Sequence, residues 1–164
     1  MPRLLLMRHA KSSWAESGVA DHDRPLNARG IAAAAAMGRH LAALEIVPDR
    51  LLVSTARRTR ATIAGVLAEV SEWPQPAFDE RLYAASSAQL FGIVRQTPAD
   101  VGTLMLVAHN PGMQMLATEI GGAEAWSRVG KYPTGSLAVL ELDGDWAEAR
   151  SGRLTDFVAP RDLV

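Results

Sequence analysis

Three short apolar runs constrain the fold of this chain most strongly, because each has the length of a buried strand rather than of a helix. They cover Leu4–Met7, Arg50–Ser54 and Thr103–Asn110. Continuous apolar runs of this kind are typical of strands buried on both faces of a parallel sheet. Helical stretches lie between them. The alternation predicts an α/β fold, a three-layer sandwich with a mainly parallel central sheet flanked by helices.

The helix predictions rest on alanine content, apolar spacing and capping residues. The first helix is predicted over 28–44, with Asn27 as its N-cap. Its predicted buried stripe consists of Ile31, Met37, Leu41 and Leu44. Further helices are predicted at 56–70, 87–96 and 111–120, the last of them ended by Gly121-Gly122. Two final strands, within 136–142 and 153–159, are predicted on either side of an acidic turn.

Length and composition limit the classes of function. A chain of 164 residues has the usual size of one domain, and we expect residues 1–164 to form a single domain. A net charge of -1 is a poor match for a nucleic-acid or anionic-membrane surface, which needs a basic excess. There are no cysteines, which excludes disulfides, thiolate nucleophiles and cysteine-bound metals. No signal peptide or membrane-spanning run is recognisable, so a cytoplasmic location is expected.

Cations and imidazoles stand where the three predicted strands end. Taken singly, an Arg-His pair after a strand is compatible with an ordinary terminus that faces water. In α/β folds, however, ligands bind beyond the carboxyl ends of the strands, where the loops gather. The sequence therefore predicts that these groups meet in one crevice. The groups are Arg8-His9, Ser54 with Arg57-Arg58, and His109-Asn110.

Two imidazoles with one or two guanidinium groups suit a phosphoryl group. The planar fork of arginine matches phosphate oxygens, and a neutral imidazole nitrogen can attack phosphorus to form a phosphohistidine. The chain has no phosphate-binding P-loop, no dinucleotide fingerprint, no serine nucleophile elbow and no zinc-binding helix motif. The Asp21–Asp23 segment has no matching metal ligands around His9. We expect neither a metal nor a cofactor.

Five segments, taken in chain order, resemble the histidine phosphatase superfamily, which has the phosphoglycerate-mutase-like fold. They are "LLLMRHAKS" from residue 4, "DRPLNARG" from residue 23, "LLVSTARRTRATI" from residue 51, "ERLYAAS" from residue 80 and "LVAHNPG" from residue 106. The compact length, the "RHAKS" form and the "DHDRPLNARG" segment are similar to its SixA-like phosphohistidine phosphatase branch. This resemblance implies a phosphoric hydrolase.

The resemblance also implies roles for individual residues. His9 falls on the phosphoryl acceptor, and Arg8 and Arg58 fall on the two phosphate arginines. His109 matches the second histidine, which binds phosphate and stabilises charge. Arg57 is the neighbour of the matching position. Glu80 lies near the place where many phosphomonoesterases and mutases of the family carry their general acid, although their surrounding glycine-rich pattern is missing here.

Three functions are compatible with these residues. The first is a metal-independent phosphatase that acts on protein phosphohistidine through a covalent phosphohistidine on His9. The second is a small-molecule phosphomonoesterase with Glu80 as its general acid. The third is a non-catalytic module that binds a phosphorylated ligand. The partner is a phosphorylated protein or a small phosphorylated substrate, and the charges of Lys11, Arg24 and His22 are expected at the solvated surface.

Overall fold

The computed structural model describes residues 1–163 and contains six strands and four helices. The strands are β1 (Arg3–Arg8), β2 (Arg50–Ser54), β3 (Ala77–Asp79), β4 (Thr103–Ala108), β5 (Leu137–Leu142) and β6 (Gly152–Val158). The helices are α1 (Ala28–Ala43), α2 (Arg57–Leu67), α3 (Ser87–Arg95) and α4 (Gly112–Val129). The predicted strands are all present. The short β3 was missed, because its Ala-Phe-Asp sequence lies in a proline-marked connection.

The six strands form one sheet in the order β3-β2-β4-β1-β5-β6. Pairing is parallel between β1 and β4, between β2 and β4, and between β2 and β3. The last two strands are antiparallel, β5 beside β1 and β6 beside β5. The sheet is therefore mainly parallel, as predicted, and β1, β2 and β4 all lie in its interior.

The alternation of side chains along the strands divides the core into two layers. In β1, Leu4 and Leu6 belong to the apolar cluster that contains residues of α3 and α4. Leu5 and Met7 belong to the cluster that contains residues of α1 and α2. Burial on both faces is what the continuous apolar runs predicted. The predicted three-layer sandwich is confirmed.

Helix α1 faces the core with only part of the predicted stripe, in which Met37 and Leu41 are fully buried. Ile31 and Leu44 are 61% and 45% exposed, so two members of the predicted stripe are wrong. The reason is close packing between α1 and α2 through glycine. A Cβ atom on Gly38 would lie 2.8 Å from the α2 backbone, and one on Gly65 would lie 2.8 Å from Ala34 Cβ. Small residues at this contact bring the two backbones together, and Ile31 and Leu44 lie outside it.

Helix α4 continues beyond its predicted end. Gly122 has non-helical dihedral angles, with φ of 70°, so the glycine pair does interrupt the helix. Helical structure then resumes and reaches Val129. Within residues 1–163, no helix has both the length and the apolar composition needed to cross a membrane. The cytoplasmic location stays a prediction.

Candidate active site

The polar residues that follow three interior strands lie together at the carboxyl ends of those strands. His9 comes directly after β1, and His109 directly after β4. Arg58 is in the first turn of α2, which begins after Ser54 at the end of β2. The rings of His9 and His109 are 5.3 Å apart between centroids. The parallel pairing of these strands brings their carboxyl ends together, which is the crevice that the sequence predicted.

Backbone and side-chain hydrogen bonds hold His9 in one orientation. Its own N–H donates to Ala108 O at 3.0 Å, and its carbonyl accepts the Gly135 N–H at 2.8 Å. The next peptide N–H, of Ala10, donates to Thr62 Oγ1 at 3.0 Å. The imidazole Nδ1 lies 2.8 Å from Ala10 O, and because a carbonyl only accepts, Nδ1 carries the proton. The lone pair of Nε2 is therefore free to attack an electrophile.

Ser54 orients the second imidazole. Its Oγ lies 2.8 Å from His109 Nε2 and accepts the Ala56 N–H at 3.4 Å. In the tautomer in which the Ser54 hydroxyl donates to Nε2, the neutral His109 ring carries its proton on Nδ1. Among residues 1–163, that buried Nδ1 has no hydrogen-bond partner. It is a donor available to a ligand oxygen.

Each of the two arginines, Arg8 and Arg58, also has an N–H donor that bonds to no other group among residues 1–163. Arg8 donates from Nη1 to Tyr132 O at 3.0 Å, and Arg58 is only 6% exposed. The Nε atoms of Arg8 and Arg58 are buried, and neither finds a hydrogen-bond partner among residues 1–163. Buried N–H donors without partners are costly unless a ligand accepts their hydrogen bonds. Together with His109 Nδ1, they provide three donors for the oxygens of a phosphoryl group.

Asp21 occupies the far side of the Arg58 guanidinium and was not identified from the sequence. Arg58 donates from Nη1 to Asp21 O at 2.7 Å and from Nη2 to Asp21 Oδ2 at 3.0 Å. The Tyr83 hydroxyl donates to the same carboxylate, and Arg24 donates to its other oxygen at 3.0 Å. The hydrogen bond from Tyr83 and the Arg58 and Arg24 guanidinium groups hold the pKa of Asp21 well below its usual range. This carboxylate is ionised and is not poised to donate a proton.

One residue expected at the solvated surface, Arg24, belongs to the site instead. Arg24 is 7% exposed, so the prediction was wrong. Its guanidinium carbon lies 3.2 Å from the centroid of the Trp14 ring, and Nη2 donates to Ser12 Oγ. His22 lies at the surface, as expected, with its side chain 42% exposed and Nε2 2.9 Å from Thr55 Oγ1. The position of Arg24 could not be predicted because no periodic pattern ties its loop to the sheet. Lys11 is exposed, as expected.

Glu80 is not brought into the crevice by the contacts of this structure. Its side chain is exposed at the start of a short 3-10 turn, Glu80–Leu82. Tyr83, which ends that turn, enters the site instead, with its ring edge-on to His109 at 5.5 Å between centroids. Arg57 is exposed at the start of α2, while Arg58 is buried beside it.

A cavity of about 490 Å³ opens in front of Arg8, His9 and Arg58. Its lining contains Lys and Arg side chains, hydroxyl groups and the Trp14 ring, but no Asp or Glu side chain. The lining residues are Arg8, His9, Lys11, Ser12, Ser13, Trp14, Ala15, Arg24, Asn27, Arg58 and Thr134. In the described part of the chain, no group of three or more His, Asp or Glu side chains is placed to hold a metal ion. The cavity is suited to a small anion.

Both imidazoles are neutral at physiological pH. Burial lowers the pKa of His9 to about 4, with the charges of Arg58 and Arg8 adding to the shift and the hydrogen bond to Ala10 O opposing it. Burial, followed by the neighbouring His9 and Arg58, lowers the pKa of His109 to about 3. A neutral ring is the form that a nucleophilic His9 requires.

This pKa shift predicts an acid sensitivity of folding. Between the unfolded value of 6.5 and the folded value of about 4 for His9, the unfolded chain binds more protons than the folded one. The free energy of unfolding therefore falls as the pH drops below 6.5, and His9 contributes a loss of about 2 kcal/mol at about pH 5. Urea denaturation of the wild type and of His9→Asn at about pH 7.5 and pH 5 measures it. The variant should lose about 2 kcal/mol less than the wild type, and equal losses would contradict the shift.

Comparisons with known proteins agree on one family. The model of the histidine phosphatase superfamily (branch 1) matches residues 4–89. An uncharacterized protein of Mycobacterium tuberculosis is 38% identical over 94% of this chain and all of its own length. An uncharacterized chloroplastic protein of Arabidopsis thaliana is 33% identical over 99% of this chain and 79% of its own length. A crystal structure from Agrobacterium tumefaciens, described as a candidate phosphohistidine phosphatase SixA, is 33% identical. It has a TM-score of 0.85 and covers 98% of this chain and 99% of that one.

Proposed function

Because this chain belongs to the histidine phosphatase superfamily and is a phosphatase, we propose that it removes the phosphoryl group from phosphohistidine on another protein. The acceptor in this proposal is His9, and the reaction passes through a covalent phosphohistidine. The observation that carries the choice of substrate is the lack of a neutral carboxylic acid beside the nucleophile. The lining of the cavity has no Asp or Glu, and Asp21 behind Arg58 is held ionised.

The proposed reaction has two steps. In the first, the lone pair of His9 Nε2 attacks phosphorus, and the P–N bond to the substrate imidazole breaks. The substrate imidazole already carries a proton on its other ring nitrogen, so it takes the electron pair of the broken bond and leaves as a neutral ring. In the second, water attacks phosphorus, the P–N bond to His9 breaks, inorganic phosphate leaves and His9 returns to its neutral form. The Nδ1–H bond to Ala10 O at 2.8 Å keeps the ring in the required tautomer throughout.

The charge of the transferring group is stabilised by donors already in place. Arg8 Nε, Arg58 Nε and His109 Nδ1 are buried without partners among residues 1–163. Donors fixed in this way stabilise the developing charge on phosphoryl oxygens at no cost in reorganisation. We propose that these groups suffice and that the reaction is independent of metal ions.

The leaving group favours phosphohistidine over an alkyl phosphate ester. A protonated imidazole leaves readily, whereas an alkoxide needs a general acid to protonate it in the transition state. Glu80 is exposed and outside the cavity lining, so within residues 1–163 no carboxylic acid side chain lines the cavity for that task. The chain between Tyr83 and β4 contains α3 with its flanking turns. The cavity stays open enough to admit a side chain that stands on another protein.

Comparing two substrates on two proteins tests this function. We expect a higher kcat/KM for phosphohistidine than for alkyl phosphates. Glu80→Gln should leave phosphohistidine hydrolysis unchanged, because its side chain is exposed outside the cavity. Steady-state release of inorganic phosphate measures all four combinations. A sugar or glycerate phosphate that outperforms phosphohistidine, together with a large loss in Glu80→Gln, would instead support a small-molecule phosphomonoesterase.

A further inference from the structure

A second cavity, of about 640 Å³, adjoins the first and is called here the basic groove. One wall is the outer face of α1, where Arg29, Ala32, Ala33, Ala36 and Arg39 follow the spacing of a single helix face. The opposite wall is formed by Pro133-Thr134 and by the turn that ends the described chain. The residues of this wall that belong to the turn, or directly precede it, are Ala159, Pro160, Arg161 and Leu163.

The basic groove carries positive charge that the fold leaves largely uncompensated. Its lining includes four cationic side chains and no Asp or Glu. Arg39 pairs with Glu69 at 3.2 Å. Within residues 1–163, the other three, Lys11, Arg29 and Arg161, form no ion pair. In a chain of net charge -1, this is a local concentration of one sign, which attracts an anionic ligand.

The basic groove is continuous with the candidate active site. Lys11 and Thr134 line both cavities. Lys11 is two residues from His9, so a substrate whose phosphoryl group lies against His9 reaches the mouth of the groove directly. A ligand larger than a phosphoryl group therefore has a path out of the active site along a cationic surface.

We propose that the basic groove binds an acidic segment of the substrate protein next to its phosphorylated side chain. This inference rests on the proposed function. The groove is larger than the cavity for the phosphoryl group, about 640 Å³ against about 490 Å³, which exceeds what a single second phosphate requires. The alanine and proline side chains of its two walls are small and allow a peptide backbone to approach closely.

The placement of the cations favours a peptide over a bisphosphorylated small molecule. Arg29, Arg39 and Arg161 are exposed side chains at the rim. A tight second phosphate site is built from buried, converging donors, as Arg8 and Arg58 are in the first cavity. Exposed charges at the rim instead accelerate the association of an anionic partner and favour carboxylates distributed along a chain. Salt screens this attraction. The expected effect is on kcat/KM for a peptide and not on the chemistry itself.

A charge-matched pair of variants tests the basic groove on the full-length chain. R29Q/R39Q/R161Q removes three of its cations and leaves Lys11, which also lines the active site. R3Q/R150Q/R153Q removes three exposed cations elsewhere, two of them at the opposite end of β1 and β6. Each variant breaks one exposed ion pair, Arg39–Glu69 in the first and Arg153–Glu141 in the second. The substrates are free phosphohistidine and two phosphohistidine peptides, one flanked by glutamates and one by glutamines.

We expect the wild type to prefer the glutamate peptide at about 0.05 M NaCl and to lose this preference at about 0.5 M. The groove variant should lose about tenfold in kcat/KM on the glutamate peptide, the sum of three exposed ion pairs of ordinary strength. Its turnover of free phosphohistidine should equal that of the wild type, and the control variant should match the wild type on all substrates. No peptide preference, or equal losses in both variants, would overturn the proposal.

A binding measurement tests the basic groove independently of the proposed phosphatase function. Fluorescence anisotropy with a glutamate peptide that carries a non-hydrolysable phosphohistidine analogue should show weaker binding to the groove variant alone. If the wild type hydrolyses no phosphohistidine but binds this peptide through the groove arginines, the proposed function fails and the acidic-segment site stands. Intact hydrolysis with unchanged affinity in the groove variant overturns the groove. A bisphosphorylated small molecule or an RNA oligonucleotide that competes better than the peptide also overturns it.

Discussion

His9→Ala should abolish turnover, with a loss of about 10⁵–10⁶-fold, the scale seen when a covalent nucleophile is removed. No other imidazole lines the cavity, and the free Nε2 of His9 is the group aimed at it. The side chain makes one hydrogen bond, to Ala10 O, so the fold should survive its removal. Steady-state phosphate release measures the loss, and circular dichroism verifies the fold.

Trapping the intermediate provides the control for this result. Quenching the wild type during turnover of a labelled substrate should leave label on the protein that is labile in acid and stable in alkali, as a phosphoramidate is. His9→Ala should carry none. Label on a serine, or activity that survives the substitution, would show that another group is the nucleophile.

Arg58→Ala should lower the rate by about 10²–10³-fold, the usual cost of removing one fixed donor to a developing charge. The Arg58 guanidinium is buried and its Nε lacks a partner among residues 1–163. Arg57→Ala is the matched control, because the neighbouring side chain is exposed. It should behave like the wild type.

The same pair of variants tests which position holds the phosphate arginine. Equal losses at 57 and 58 would mean that the general charge of this turn, and not a positioned donor, supports the reaction. Arg58→Lys adds a finer measurement, since it keeps the charge but loses the Nε donor and the planar fork that bonds to Asp21. It should recover little of the activity.

The strand ends could be predicted from the sequence because they obey a simple rule. Leu4–Met7 and the run before His109 are apolar on both faces, and such strands pair in parallel with their carboxyl ends at one edge. Any cation or imidazole at those ends must then approach the others. Arg8, His9, Arg58 and His109 were identified by this rule together with the family resemblance, and their catalytic roles stay predictions.

The residues that close around Arg58 follow no such rule. Asp21 is 37 residues from Arg58 in sequence, and Tyr83 is 62 residues from Asp21. Both are carried by irregular segments whose path is set by tertiary packing. Neither apolar periodicity nor a short motif marks them, so the "DHD" segment was read as a charged loop. The 3-10 turn at Glu80–Leu82 could not be predicted either. It brings Tyr83 into the site and leaves Glu80 exposed.

Part of the predicted inner face of α1 was wrong for a related reason. Hydrophobicity alone favours Ile31 and Leu44 as core residues. The contact with α2 is instead set by how closely two backbones approach, which depends on Gly38 and Gly65. A rule that ranks residues by apolar surface gives glycine no weight.

The position of β1, β2 and β4 within the sheet has a consequence for the lifetime of the catalyst. Each of these strands has a hydrogen-bonded neighbour on both sides, while β3 and β6 form the edges. Fraying begins at edges, and local opening there costs far less free energy than exposing central strands. We therefore expect partial melting at either edge to leave the candidate catalytic groups assembled, so that few molecules are folded but inactive.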